Sequence, residues 1–120
     1  NSFAYSQLSN AGRPKVTDEI YEMQARMCAC LANARRLEIL HLLSEGEKSF
    51  SELQDRTGLA KANLSQHMAL LRDRGLVVAR REGQRVFFSV ANPKITEACA
   101  LVRQAMTESL EARRRAARRR

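Results

Sequence analysis

Lys61-Ala-Asn-Leu-Ser-Gln-His-Met-Ala-Leu-Leu-Arg-Asp-Arg74, closed by Gly75, carries Leu64, Met68 and Leu71 at spacings of four and three. Those intervals stack three apolar side chains on one side of an α-helix. The other side holds Asn63, Gln66 and His67, with Ala62 and Ser65 beside them, all short or hydrogen-bonding. A merely solvated helix face favours long charged residues instead. The period then changes. Leu76-Val-Val-Ala-Arg-Arg-Glu-Gly-Gln-Arg-Val-Phe-Phe-Ser-Val90 is rich in strand formers on both sides of Gly83. It reads as a β-hairpin with an arginine-rich tip.

Upstream, Ser49 with Glu52 three residues on forms a capping box for a short helix over 49–57, ended by Gly58. Phe50 and Leu53 point inward, and Leu59 anchors the turn that follows. Asn33 caps an earlier helix whose buried side is Leu37, Ile39, Leu40, Leu42 and Leu43, with Gly46 as its stop. Thr17 is expected to cap the first helix, in which Ile20, Met23, Met27 and Leu31 keep a helical period. Residues 1–16, with Gly12 and Pro14, read as a flexible N-terminal arm.

Downstream, Pro93 opens a last helix as its first residue. Its stripe is Ile95, Cys99, Val102, Met106 and Leu110, widened by Ala98, Leu101 and Ala105. Residues 111–120 read as a basic, disordered tail, which leaves 17–110 as the folded domain. The fold class is mainly α with a β-hairpin: four helices, two strands, then a fifth helix. A stripe this wide exceeds what so small a domain can cover from within. With the first helix it forms the expected homodimer interface, through Ile20, Met23, Met27, Ile95, Val102 and Met106.

The order helix, tight turn, helix, hairpin is that of a winged helix-turn-helix. Charge agrees with a polyanionic partner. The chain carries +8 overall, divided as −1 over residues 1–60, +4 over 61–89 and +5 over 111–120. A helix fits the major groove of B-DNA. Gln66 and Asn63 can pair with adenine, Ser65 can bond a base or phosphate, and Ala62 can meet a thymine methyl. Lys61 and Arg72 suit phosphates, and His67 lies on the same polar side. Arg81, Gln84 and Arg85 at the hairpin tip suit the backbone or the minor groove. The expected partners are double-stranded operator DNA and a second copy of the chain, with no membrane. A winged helix that binds protein or RNA is the alternative. No nucleophile–base–orienter set or phosphate loop is present, which argues against an enzyme.

Three blocks in this order resemble the ArsR/SmtB family of winged helix-turn-helix repressors, over roughly residues 29–92. The first is Leu31-Ala-Asn-Ala-Arg-Arg-Leu-Glu-Ile-Leu-His-Leu-Leu43. The second is Glu52-Leu53, Thr57-Gly58-Leu59, Leu64-Ser65-Gln66-His67-Met68 and Leu71. The third is Gly75-Leu76-Val77 with Arg81-Glu82-Gly83-Gln84-Arg85-Val86-Phe87-Phe88-Ser89-Val90. The resemblance implies a dimer made by the first and last helices, and an operator released when an inducer binds. Ser65, Gln66 and His67 fall on the family's recognition-helix motif, with Gln66 where many members have arginine.

The sensing sites of the family depart from this chain. Ser49-Phe-Ser-Glu-Leu-Gln54 lacks the Cys-Val-Cys of arsenic sensors, and residues 93–110 lack the Asp/His set of zinc and cobalt sensors. His41 stands where persulfide sensors have a cysteine, and their second cysteine would fall near Met106 rather than at Cys99. What remains is Cys28, Cys30 and Cys99. An odd count of three speaks against a disulfide framework and for a reduced, cytoplasmic chain. Two chemistries fit the thiols: a soft ion such as As(III) or another thiophilic metal, and oxidation or polysulfide bridging. Simple core packing is the third reading.

Overall fold

The structure is a computed structural model and describes residues 14–119. Its elements run α1 (Pro14–Leu31), α2 (Ala34–Ser44), β1 (Lys48–Ser49), α3 (Phe50–Thr57), α4 (Lys61–Asp73), β2 (Val77–Glu82), β3 (Arg85–Val90) and α5 (Pro93–Arg118). This is a winged helix-turn-helix. The core is Ile39, Leu40, Leu42 and Leu43 of α2, Leu53 of α3, Leu64, Met68 and Leu71 of α4, Leu76 and Val77 entering β2, and Phe88 of β3. Cys30 of α1 joins it. The apolar side expected for each of the three central helices is thus the side that packs, Leu37 excepted: it is 36% exposed.

Local chemistry sets the boundaries. Asn33 accepts the Arg36 amide and starts α2. Ser49 and Glu52 form the reciprocal capping box of α3, and Gly58 ends it in the left-handed region at φ 72°. The turn Gly58–Leu59–Ala60 is tied by Thr57, whose hydroxyl donates to the Leu53 carbonyl and accepts the Leu59 amide. At the far end of α4, Gly75 takes φ 74°. The Leu76 amide reaches back to the Leu71 carbonyl, and the Gly75 amide to that of Arg72. This pair is a Schellman closure, and it passes the chain from α4 straight into β2.

The wing is a three-stranded antiparallel sheet in the order β1-β3-β2. Glu82 pairs with Arg85 across the two-residue loop Gly83-Gln84, with Gly83 at φ 63°. β1 was not expected. Two residues are too short for a period, and Ser49 also serves as a helix cap, so its pairing with Phe87 leaves no mark in the sequence.

Both ends of the domain are longer than the sequence indicated. α1 begins at Pro14 rather than after a cap at Thr17. Proline is tolerated in the first turn of a helix, where its missing amide would have no partner. The expected arm therefore lies outside the described residues as far as residue 13, and its last three residues are helical. α5 continues to Arg118, so residues 111–118 are helix and not a disordered tail. Alanine and arginine are among the better helix formers, and neither glycine nor proline interrupts the run.

Candidate nucleic-acid interface

α4 spans 13 residues, or about 20 Å of helix. With Leu64, Met68 and Leu71 buried, helical geometry aims Gln66 and the small Ala62 and Ala69 directly outward. Lys61, Ser65 and Arg72 form one flank, and Asn63 and His67 the other. Lys61, Ala62, Asn63, Ser65, Gln66 and Arg72 are all exposed. The side chains of Asn63, Ser65 and Gln66 are exposed donors and acceptors and make no hydrogen bond among the described residues. Ala60, the residue before α4, offers no side-chain cap. The first-turn amides of α4, beside Lys61, therefore receive no capping side chain from Ala60.

His67 differs from its neighbours. It is half-buried, and its Nδ1 lies 3.3 Å from the Arg36 guanidinium. Burial, then the charges of Arg36 and Arg35, hold its pKa below the ordinary 6.5. The position expected to face DNA is instead turned toward α2.

The wing divides its arginines between two faces. Cross-strand partners share a face, so Arg81 lies with Val86, and Arg85 with Glu82. Arg81 continues the line of buried Val77 and half-buried Ala79. Arg85 is on the outer face, stacked 4.9 Å from the centre of the Phe87 ring. The tip thus carries one exposed guanidinium on each side, with exposed Gln84 between them.

Arg80 is occupied elsewhere. It donates two hydrogen bonds to Glu47, at 3.1 and 2.8 Å, and one to Glu82 at 2.6 Å, and it lies 4.6 Å from the centre of the Phe87 ring. These bonds raise its pKa further above the normal range and lower that of Glu47. Its charge braces the wing from β2 across β3 to the segment before β1. It adds little to the field at the tip.

Residues 33–78 match the sequence pattern described as "Bacterial regulatory protein, arsR family". The transcriptional activator HlyU of Vibrio cholerae is 38% identical over 87 residues, covering 70% of this chain and 81% of that protein. The chain belongs to the ArsR family. A probable mercury resistance operon repressor of Streptomyces lividans is 33% identical over 79 residues, covering 66% of this chain and 63% of that protein. A homodimeric winged helix-turn-helix DNA-binding domain from Mycobacterium bovis, solved by NMR, superposes with a TM-score of 0.76. It is 35% identical, and the match covers 85% of this chain and 94% of that one. As an ArsR-family protein this chain is a DNA-binding transcriptional regulator, not an enzyme.

Two further sets of residues can be placed on this ArsR-family fold. Ile20, Met23, Val102 and Met106 are between 54 and 67% exposed, while Met27 and Ile95 are half-buried. Together with exposed Leu101 and Leu110 they leave α1 and α5 with uncovered apolar stripes. Between α1, α2 and α5 lies a groove of about 920 Å³, lined by Met27, Cys28, Leu37, Cys99, Val102 and Met106 among others. Leu37, expected in the core, faces this groove.

The three cysteines do not act as a set within one chain. Cys28 is exposed and Cys99 half-buried, and both line the groove, whereas Cys30 is buried in the core. Positions two apart on a straight helix point to opposite sides, and α1 does not end until Leu31. Among the described residues no three His, Cys, Asp or Glu side chains gather closely enough to hold a metal ion. A three-thiolate site made by one chain does not fit these positions. No helix among the described residues is long and apolar enough to cross a membrane.

Sequence reasoning missed the joints made by Arg36, Glu47 and Arg80, which tie α4 and the wing to neighbouring segments. Glu47 and Arg80 are 33 residues apart, and Arg36 and His67 are 31 apart. No local period signals such pairs.

Proposed function

We propose that this ArsR-family chain is a homodimeric repressor that reads a two-fold symmetric operator, and that a thiol-reactive inducer acting at Cys28 and Cys99 releases it. The observation that carries the DNA reading is the outward, exposed polar face of α4 formed by Asn63, Ser65 and Gln66. Glutamine and asparagine can each pair bidentately with adenine, and Ala62 and Ala69 allow the helix to approach the base edges closely. The uncovered stripes of α1 and α5, together with the homodimeric state of the Mycobacterium bovis relative, support the dimer. Repression is supported by the name of the Streptomyces lividans relative, whereas the Vibrio cholerae relative is named an activator.

Selection from a random duplex pool tests this reading. The expected result is one enriched inverted repeat, with half-sites about one helical turn apart. A reporter placed behind that repeat should be silenced by the chain. No enrichment over random DNA would contradict operator reading, and a salt-insensitive protein or RNA partner would then favour an interaction module. Stimulation of the reporter would contradict repression. Gln66→Ala is expected to relax the preference at one position of each half-site, at a cost of about 1–3 kcal/mol in discrimination. Quantitative binding to the full set of single-base variants checks this.

Sensing rests on Cys28 and Cys99 sharing one groove. Arsenite would form a two-thiol adduct, and oxidation would join the pair with loss of two protons and two electrons to the oxidant. Mass measurement after arsenite, and separately after a polysulfide or peroxide, distinguishes these outcomes. Loss of the adduct or bridge in Cys28→Ala and Cys99→Ala, but not in Cys30→Ala, is expected to accompany loss of DNA release. Unchanged DNA affinity after all treatments would leave the thiols as packing residues.

A further inference from the structure

Arg36 connects three helices. Its amide donates to the side-chain oxygen of Asn33, which fixes it in the first turn of α2. Its Nε donates to the Cys30 carbonyl at 2.6 Å. That carbonyl belongs to the last turn of α1, where no intrahelical amide remains to bond it and where a cation suits the helix dipole. The other end of the same guanidinium lies 3.3 Å from His67 Nδ1, in the middle of α4. Arginine has donors only, so His67 must accept at Nδ1 and carry its proton on Nε2. The bonded carbonyl is that of Cys30, a buried residue of the core, and both side chains in the pair are themselves partly buried.

We propose that Arg36 is a positioning residue for DNA recognition: its guanidinium couples the end of α1 to His67 and so fixes how the recognition helix is presented. The proposal rests on α4 being the DNA-contacting helix. Arg36 touches no DNA in this role. It acts through His67, and His67 is turned inward to receive it rather than outward to read a base. Because α1 also carries the groove thiol Cys28 and the apolar stripe, the pair offers a direct mechanical route from that helix to the reading surface. Protonation of His67 removes the acceptor and sets an imidazolium beside Arg36 and Arg35, the two charged groups that act on it.

A double-mutant cycle on the full chain tests the coupling, using the duplex that the wild type enriches from a random pool. Arg36→Gln and His67→Leu are each expected to weaken binding about tenfold, and the double variant hardly more than either. His67→Asn should restore most of the affinity, because asparagine Oδ1 stands where histidine Nδ1 stood. The salt dependence of Arg36→Gln should stay that of the wild type, since Arg36 neutralises no phosphate. Wild-type affinity should fall as pH drops below 6.5, and this acid limb should vanish in His67→Asn.

Additive losses, or a salt slope reduced by about one unit in Arg36→Gln, would overturn the proposal. So would binding that tightens on acidification, the signature of His67 meeting phosphate directly. Nitrogen NMR of His67 without DNA separates this failure from failure of the DNA reading. The pair predicts an Nε2–H tautomer whose pKa rises when Arg36 becomes glutamine. An Nδ1–H tautomer, or a pKa indifferent to Arg36, would rule the joint out whether or not the chain binds any duplex. A wild type that enriches no duplex would instead remove the reading of α4 on which the proposal rests.

Discussion

Alanine at both Arg81 and Arg85 is expected to lower affinity about 10- to 100-fold for every duplex, selected or random. The two guanidiniums sit at the tip of the wing on opposite faces of the sheet, both exposed. A hairpin laid along the phosphate backbone can therefore present one to each side. A charge-assisted hydrogen bond contributes on the order of 1 kcal/mol or more, and 1.4 kcal/mol is tenfold in affinity. Each phosphate left without its arginine also reduces the slope of log affinity against log salt by about one unit, so the double variant should lose about two. Sequence preference should hardly change, because phosphates position the protein without specifying bases. Titrations across a salt series, against the selected repeat and a scrambled duplex, measure both quantities. The same change at Arg80 should behave differently. Its guanidinium is committed to Glu47 and Glu82, so its removal loosens the sheet and leaves the salt slope almost intact.

Leu64→Ala is expected to cost about 2–5 kcal/mol of stability. Leu64 has no exposed surface and packs on the inward side of the helix whose outward side holds Asn63, Ser65 and Gln66. Truncation leaves a cavity in the core beneath the outward face of α4. A domain of this size has roughly 5–15 kcal/mol in total, so the melting temperature should fall on the order of 10–20 °C. Calorimetry or circular dichroism reads this directly. Gln66→Ala is the contrast. Its side chain is exposed and makes no hydrogen bond among the described residues, so its melting temperature should stay close to that of the wild type while base preference relaxes. Together the two variants separate the side of α4 that builds the protein from the side proposed to read DNA.

That division of α4 is legible in the letters alone. Leu64, Met68 and Leu71 are short-range information, as are the Ser49–Glu52 box and the glycines at 58, 75 and 83. Each is a local rule about period, capping or positive φ, so each can be read from neighbouring residues. His67 shows where such reading stops. Its position on the helix places it at the edge of the polar face, and only the packing of α2 turns it to Arg36. The Arg80–Glu47 brace and the pairing of β1 with β3 are likewise products of tertiary approach. The helical ends escape sequence reading for a different reason. Pro14 and the arginine run both look like breaks in a regular pattern, yet neither blocks a helix where it occurs. Cys30 groups with Cys28 and Cys99 by residue type alone, whereas its direction on α1 sends it into the core.

Reading of base edges in the major groove by α4 can be examined most directly with modified DNA. Each purine of the selected repeat would be replaced in turn by its 7-deaza analogue, which removes the N7 acceptor from the major groove and leaves the minor groove and phosphates unchanged. A sharp loss of affinity is expected at one or two purines in each half-site, and Gln66→Ala should make the protein indifferent to at least one of them. Uniform affinity across every 7-deaza position would mean that the outward face of α4 does not pair with purines there.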